Sequence, residues 1–301
     1  MSDRARLKHQ VRIVDVFTEK ALAGNQLAVV LDGKGLTAKL MQRIARELNF
    51  SETTFILPPD DPAHAAKVRI FAPTVEMPFA GHPTIGTAWV LADEGLVPGG
   101  KLEFVLEEKV GPVPVRGEKK NGGVVFWMTH PKLTYGEVLP HSRVAAAIGL
   151  KEADIVESVP TQVASTGNPH LYVALRDAQA VDAAVSDHAR LATVLGSSNS
   201  PFGLFLFAVN GENRLYSRMF SLDIPEDPAT GSASGPLGAF AVRYGLVERA
   251  PKVEIVSEQG TKMGRQSFVH IELAYDDDDA DIPSRIEVGG SVMPVLKGEL
   301  L

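Results

Sequence analysis

The stretch RMFSLDIPEDPATGSASGPLGAFAVRYGLV, Arg218 to Val247, decides how this chain folds. It reads as a strand, an acidic Pro-containing turn, a Gly-rich elbow at Thr230-Gly231-Ser232, and a short apolar helix closed by Gly245. A glycine just past the last apolar turn suits a left-handed helix C-cap. The same order occurs earlier in RIFAPTVEMPFAGHPTIGTAWVLADEGLV, Arg69 to Val97, with its elbow at Gly81-His82-Pro83 and its closing glycine at Gly95. Each elbow opens a helix, so each should present backbone N–H groups that lack intrahelical partners, a setting that attracts an anion. Two such elbows in one chain predict a ligand clamped between two similar halves.

The echo extends beyond the elbows. Gly24-Asn25-Gln26-Leu27-Ala28-Val29-Val30 resembles Gly167-Asn168-Pro169-His170-Leu171-Tyr172-Val173. Phe55-Ile56-Leu57 resembles Phe205-Leu206-Phe207, and Leu102-Glu103-Phe104 resembles Val253-Glu254-Ile255. The offset is 143 residues from Gly24 to Gly167, 149 from Arg69 to Arg218 and 150 from Phe55 to Phe205. A repeat this long is not a solenoid. It predicts an α/β (α+β) fold of two structurally similar domains about a pseudo-twofold axis, the first half a β-rich sheet wrapped around a helix. We divide them at residues 1–130 and 131–301, with the final strands free to join either.

Composition sets the outer limits. At 301 residues the chain is too long for one compact core and fits two domains of ordinary size. Its 45% hydrophobic and 22% charged residues describe a globular chain rather than a disordered one. No apolar run approaches the length needed to span a bilayer, and the charged N-terminus, MSDRARLKHQ, is no signal peptide but a lead-in to the first strand, so a cytoplasmic protein is expected. A net charge of -7 argues against nucleic acid as a partner. The absence of cysteine removes disulfides, thiolate metal sites and cysteine nucleophiles together.

Read in order, the chain predicts strands over Val11–Phe17 and Gln26–Leu31, then an amphipathic helix from Thr37, its N-cap, to Leu48, with Leu36, Leu40, Ile44 and Leu48 on the inner face. Asn49 ends that helix. Strands follow at Thr54–Leu57 and Val68–Phe71, then a helix over Thr84–Asp93, then strands at Leu102–Glu107, Val113–Val115 and Gly122–Met128. From His130 to Pro160 the expectation is a passage between halves holding one short helix, Val144–Ile148. The second half reads as strand Leu171–Leu175, a largely helical Val181–Leu195, strands Gly203–Val209 and Leu215–Phe220, helix Ser234–Arg243, strands Val253–Ser257 and Phe268–Leu273, an acidic turn Asp276–Asp281, and one or two closing strands within Arg285–Val295.

A few residues suit chemistry. Glu52, in the apolar context Asn49 to Phe55, has its echo near Phe202 or Gly203, neither ionisable. A carboxylate in one half alone suits a single group that takes and returns a proton, although spacing alone favours an ordinary loop glutamate. His82, inside the first elbow, suits a proton relay or a donor to a ligand carboxylate, and equally a structural capping ring. Asp227 and Ser232 flank the second elbow as a second base or orienting group and a ligand hydrogen bonder; a turn aspartate and an N-cap serine are the plainer readings. Gly81, Pro83 and Gly231 complete the elbows. Asn25, Asn168 and His170 open matching strands and would line the cleft, though turn chemistry is the simpler account. Scattered histidines give no metal spacing, and neither a phosphate loop nor a dinucleotide fingerprint is present.

Four blocks together resemble a known family: Asp15-Val16-Phe17 with Gly24-Asn25, Asn49-Phe50-Ser51-Glu52-Thr53, Ala80-Gly81-His82-Pro83-Thr84, and Glu226-Asp227-Pro228-Ala229-Thr230-Gly231-Ser232-Ala233. They look like the signature of the PhzF-like phenazine-biosynthesis isomerases, and the resemblance runs from about Val11 to Leu301. It implies a diaminopimelate epimerase-like fold: two pseudo-symmetric domains, each a β-barrel around a helix, with the site in the cleft. It further implies a homodimer with no cofactor or metal and a small carboxylic acid substrate. By position, Glu52 matches the family's catalytic acid/base, and His82, Asp227 and Ser232 match its site residues. The epimerase relatives use a cysteine in each half, which is impossible here. The leading expectation is therefore a cofactor-independent isomerase whose Glu52 is partly desolvated. The alternatives are a two-base epimerase using Glu52 and Asp227, or a non-catalytic carboxylate-binding protein on the same fold.

Overall fold

The structure is a computed structural model that describes residues 8–120, 123–196, 201–277 and 281–300. The N-terminal lead-in before Lys8, Gly122, and the Asp278–Ala280 part of the acidic turn lie outside the described residues. The chain divides into two units, Met1–Met128 with Gly290–Leu301, and Thr129–Gly289.

The first unit begins with β1 (His9–Val16) and β2 (Asn25–Val30), an antiparallel pair, followed by α1 (Ala38–Leu48) and β3 (Glu52–Leu57), which lies parallel to β2. The Thr37 hydroxyl accepts from Leu40 N as the N-cap of α1, and Asn49 stops the helix in the left-handed conformation (φ 54°). The buried face of α1 is centred on Met41, Ile44 and Ala45, with Leu36, Leu40 and Leu48 only partly covered. The expected stripe is thus rotated by one position, because Met41 and Ala45 meet Val11, Ala28, Val30, Phe55 and Phe71 in one cluster. Next come β4 (Ala66–Phe71), the short β5 (Glu76–Met77), α2 (Gly81–Asp93), β6 (Glu103–Glu108), β7 (Gly111–Lys120) and β8 (Gly123–Thr129). β4 runs antiparallel to β3 and parallel to β6, so α2 is the crossover between parallel neighbours.

The second unit repeats this order. β9 (Thr134–Leu139), which the sequence did not suggest, and α3 (His141–Ala147) precede β10 (Thr161–Ser165) and β11 (His170–Ala174). The expected long helix is two: α4 (Ala178–Ala183) and α5 (His188–Leu195). Asp177 accepts from Ala180 N and Asp187 from Arg190 N, so each starts at its own aspartate cap. β12 (Gly203–Val209) lies parallel to β11, β13 (Arg214–Ser221) antiparallel to β12, and α6 (Gly231–Arg243) crosses over from β13 to its parallel neighbour β14 (Lys252–Gln259). β15 (Ser267–Ala274) and β16 (Arg285–Gly290) close the unit. The last strand, β17 (Val292–Leu300), pairs antiparallel with β1 and so joins the first unit.

Both crossover helices are apolar on nearly every side, the mark of a helix surrounded by protein. α2 packs on β1, β2, β3 and β17; α6 packs on β10, β11 and β15. Close approach requires the absence of side chains. A Cβ on Gly86 would sit 2.6 Å from Leu27 Cδ2, and one on Gly238 would sit 2.7 Å from Ile271 Cγ2. The two helices also end alike. Gly95 and Gly245 adopt φ of 67° and 69°, and Leu96 N and Leu246 N reach back to Leu91 O and Ala241 O, the Schellman pattern.

Another repeated device braces each helix entry. Arg69 forks onto Glu76 at 2.7 and 2.9 Å while its guanidinium lies 5.1 Å from the Phe71 ring; Arg218 forks onto Glu226 at 2.8 Å twice and lies 4.7 Å from Phe220. The second clip is drier: the Arg218 side chain is 7% exposed against 25% for Arg69, and its Nη1 also donates to Val181 O and Ala184 O.

In urea denaturation Glu226→Gln is expected to cost about 3–5 kcal/mol, because it strands a buried guanidinium, and Glu76→Gln clearly less. Gly86→Ala, a change that stabilises most helices, is expected to cost about 1–3 kcal/mol through overpacking against Leu27 and Val16.

Candidate active site

In the first unit the structure brings Asn25, Glu52 and His82 together. Asn25 is the first residue of β2 and Glu52 the first of β3, delivered there by the left-handed turn at Asn49. Glu52 Oε2 lies 3.5 Å from His82 Nε2, and His82 Nδ1 lies 3.3 Å from Asn25 Nδ2. The Glu52 side chain is 15% exposed and that of His82 6%. Gly81, His82 and Pro83 are the first three residues of α2, so the expected elbow is the opening turn of the helix itself. No side chain caps that turn, since its N-cap is Ala80; Pro83 has no N–H to offer, which leaves Gly81 and His82 as the elbow's backbone donors.

Burial drives the pKa of His82 down to about 3, outweighing its contact with the Gln26 backbone, which acts the other way. The imidazole is therefore neutral near pH 7, and its contact with Glu52 joins a carboxyl group to an uncharged ring rather than forming an ion pair. A neutral imidazole has one donor and one acceptor nitrogen, which is what passing or holding a proton beside a carboxyl requires.

The second unit holds Asp227, Gly231 and Ser232 around the opening of α6. Asp227 is buried, its Oδ2 accepts from Thr230 Oγ1 at 2.5 Å, and its N–H donates to Met219 O. Gln259, the last residue of β14, fastens the turn: its Nε2 donates to Asp227 O (2.8 Å) and Thr230 Oγ1 (3.0 Å), and its Oε1 accepts from Thr230 N (3.1 Å). Gly231 and Ser232 are the first two residues of the helix. Ser232 is thus not the N-cap; Thr230 holds that place, without a side-chain capping bond. Sequence reasoning placed Thr230 in the elbow without a role of its own and missed Gln259. The clue to Gln259 was its place before Gly260, which has a φ of 75° and where an added Cβ would lie 2.6 Å from Pro228 O.

His170 begins β11, with Nδ1 3.0 Å from Asn168 O and its ring edge-on to Phe202. It faces Gly203 across the parallel pair, just as Leu27 faces Glu52 in the first unit. Gly203 is therefore the counterpart of Glu52. A Cβ there would lie 2.8 Å from Met219 Sδ and 2.9 Å from Phe220 O, so the second unit has no space for a matching carboxylate. Among the described residues no group of three His, Cys, Asp or Glu side chains is placed to hold a metal ion, and no helix is long and apolar enough to cross a membrane.

Comparison with known proteins gives a consistent picture. The family model described as phenazine biosynthesis-like protein matches residues 14–298. The chain is 36% identical to an uncharacterized isomerase of Mesorhizobium japonicum, covering 96% of this chain and 97% of that protein. It is 35% identical to the trans-2,3-dihydro-3-hydroxyanthranilate isomerase of Pseudomonas chlororaphis, covering 97% and 99%. A solved PhzF-family protein of Bacillus anthracis superposes with a TM-score of 0.87 at 28% identity, over 98% of this chain and 99% of that one. A probable proline racemase of Agrobacterium radiobacter, 14% identical with a TM-score of 0.63 over 97% and 93%, shares the fold alone. The expected two-domain, epimerase-like α/β fold is the one found.

The buried histidines predict a pH dependence. Burial lowers His82 to about 3 and His130 and His170 to about 4, all below the ordinary value of 6.5. A depressed histidine contributes stability that is present above its unfolded pKa and is lost as pH falls toward its folded pKa. Thermal unfolding should therefore show a midpoint that drops as pH is lowered from about 6.5 toward about 4. The His82 ring NMR signals should stay in the neutral form throughout that fall, while those of His130 and His170 should begin to shift only as the pH nears about 4.

Proposed function

The chain belongs to the phenazine biosynthesis-like protein family, and on that premise we propose that it moves a proton within a small cyclic carboxylic acid with Glu52 as the single acid/base group. That it is an isomerase follows from near-full-length relatives. The finer reading rests on one observation: Glu52 stands beside the neutral His82, while its counterpart Gly203 has room for nothing.

In this reading the substrate is an unsaturated ring bearing a carboxylate, of the kind named for the Pseudomonas chlororaphis relative. Glu52 takes a proton from a ring carbon next to a double bond, the double bond shifts, and the same carboxyl group returns the proton to another carbon. Charge on the ring is transient, and no cofactor is needed to hold it. His82 acts with Glu52, standing 3.5 Å from its carboxyl group and keeping a proton available. Asp227, tied to Thr230 and Gln259, is the second catalytic group and orients the substrate. Gly81, Pro83, Gly231, Ser232, Asn25 and His170 bind the substrate, with the amides of Gly231 and Ser232 as carboxylate donors. The protein acts as a cytoplasmic homodimer.

Glu52→Gln is expected to lower turnover by ~10²–10⁴-fold while leaving circular dichroism and carboxylate binding unchanged. Incubation with dihydro-hydroxyanthranilic acid and other cyclic carboxylates in deuterium oxide, read by NMR, checks this. Wild-type turnover in Glu52→Gln would remove Glu52 from the mechanism, and deuterium at an inverted stereocentre would replace the single-base reading with two bases.

A further inference from the structure

Glu108, the last residue of β6, takes no part in the chemistry above, yet its side chain is buried and unusually placed. Its Oε1 lies 2.6 Å from Thr84 Oγ1, in the opening turn of α2, and its Oε2 has no hydrogen-bond partner among the described residues. The same Thr84 hydroxyl lies 2.8 Å from Ala80 O, the N-cap carbonyl of α2. A hydroxyl has one hydrogen, so it cannot donate to both oxygens. If both are full two-centre hydrogen bonds, one of them receives its hydrogen from the other side. A backbone carbonyl has none to give, so the hydrogen must come from Glu108.

The second unit supports this assignment. Ser234 occupies the place of Thr84 in α6 and donates its hydroxyl to the N-cap carbonyl, Thr230 O, at 2.9 Å. Gln259 occupies the place of Glu108: each ends the strand that lies parallel to the Arg-bearing strand, β14 beside β13 and β6 beside β4. Each reaches the N-terminus of its crossover helix, and Gln259 does so as a neutral amide that donates through Nε2. A protonated carboxyl has the shape of that amide and likewise sets a donor beside an acceptor, with one hydrogen to give where the amide has two.

We propose that Glu108 is a positioning residue held as a neutral acid, which donates through Thr84 to the Ala80 carbonyl and so fixes the turn of α2 that presents His82 to Glu52. Burial raises its pKa from 4.5 to about 8, with the Thr84 contact acting in the opposite direction. The ionisable groups on β6 and the surrounding elements are Glu103 and Glu107 on β6, Lys67 and Arg69 on β4, Glu76 on β5, His82 and Asp93 on α2, Arg116, Glu118, Lys119 and Lys120 on β7, and the adjacent Lys109; none of them is among the causes of the shift. Above its pKa the carboxylate has no hydrogen to give. Thr84 must then choose between Glu108 and Ala80, and the turn loosens.

The effect on turnover rests on the reading of Glu52 and His82 given above; the protonation state of Glu108 does not. Four measurements separate the two. Difference infrared spectroscopy of wild type against Glu108→Gln should show a protonated carboxyl band at pH 6 that disappears as pH rises through about 8. Absence of that band at pH 6 would overturn the proposal. Because a raised carboxyl contributes stability that is present below its unfolded pKa and lost as pH rises through the folded one, the melting point of wild type relative to Glu108→Gln should fall between pH 4.5 and about 8. The His82 ring signals should keep their shifts in Glu108→Gln and Thr84→Ser, and move in Glu108→Leu and Thr84→Val; unmoved signals in the last two would reduce Glu108 to a purely local role. With an active substrate, Glu108→Gln should keep turnover at neutral pH and lose the alkaline decline, while Thr84→Val loses on the order of ten- to a hundredfold in kcat. Failure of Glu52→Gln to affect turnover, with the infrared band present, would sink the catalytic reading and leave this one standing.

Discussion

A helix surrounded by protein must bury its polar N-terminal turn as well as its apolar sides, and most of the site follows from that constraint. α2 and α6 are admitted among their strands by small residues such as Gly86 and Gly238. Their opening turns therefore lie away from bulk water, where an unpaired backbone group costs on the order of 1–3 kcal/mol. Each unit answers in the same way. A hydroxyl one turn into the helix, Thr84 or Ser234, bonds back to the N-cap carbonyl, and a residue from the end of a strand, Glu108 or Gln259, reaches across to the same turn. The amides at the very start of each helix are left without a side-chain cap. Helix starts of this kind, with their partial positive charge, suit a carboxylate ligand.

The second constraint is the difference between the units. They share strand order, crossover helices, Arg–Glu–Phe clips and glycine caps, yet differ where the parallel strands begin. Leu27 faces Glu52 in one; His170 faces Gly203 in the other, and Met219 and Phe220 fill the space. At this strand start the frame thus carries a carboxyl group in the first unit only.

The buried histidines fit the same economy. His82, His130 and His170 are all inside and all neutral, so the fold avoids the large cost of an unpaired buried cation. For His82 that neutrality is also chemically useful, because it stands beside the one carboxyl group that the frame retains.

The sequence by itself determined the duplication, the α/β class, the crossover helices and the identity of the elbows, because those rest on local signals: turn-forming clusters, closing glycines and apolar runs that bury through short-range geometry. It also singled out Glu52, His82 and Asp227, through their place beside those elbows and the blocks they share with a known family. Tertiary structure alone decided the rest. The rotated face of α1, the added strand β9 and the break between α4 and α5 depend on what packs against them. That β17 joins the first unit is a matter of its pairing with β1 across most of the chain. The hydrogen bonds of Gln259 with Thr230 and of Glu108 with Thr84, and the 3.5 Å approach of His82 to Glu52, join residues about 24 to 30 apart inside a core. No local pattern encodes such contacts. They exist because a buried polar group must find a partner, and only the folded chain specifies which one is within reach.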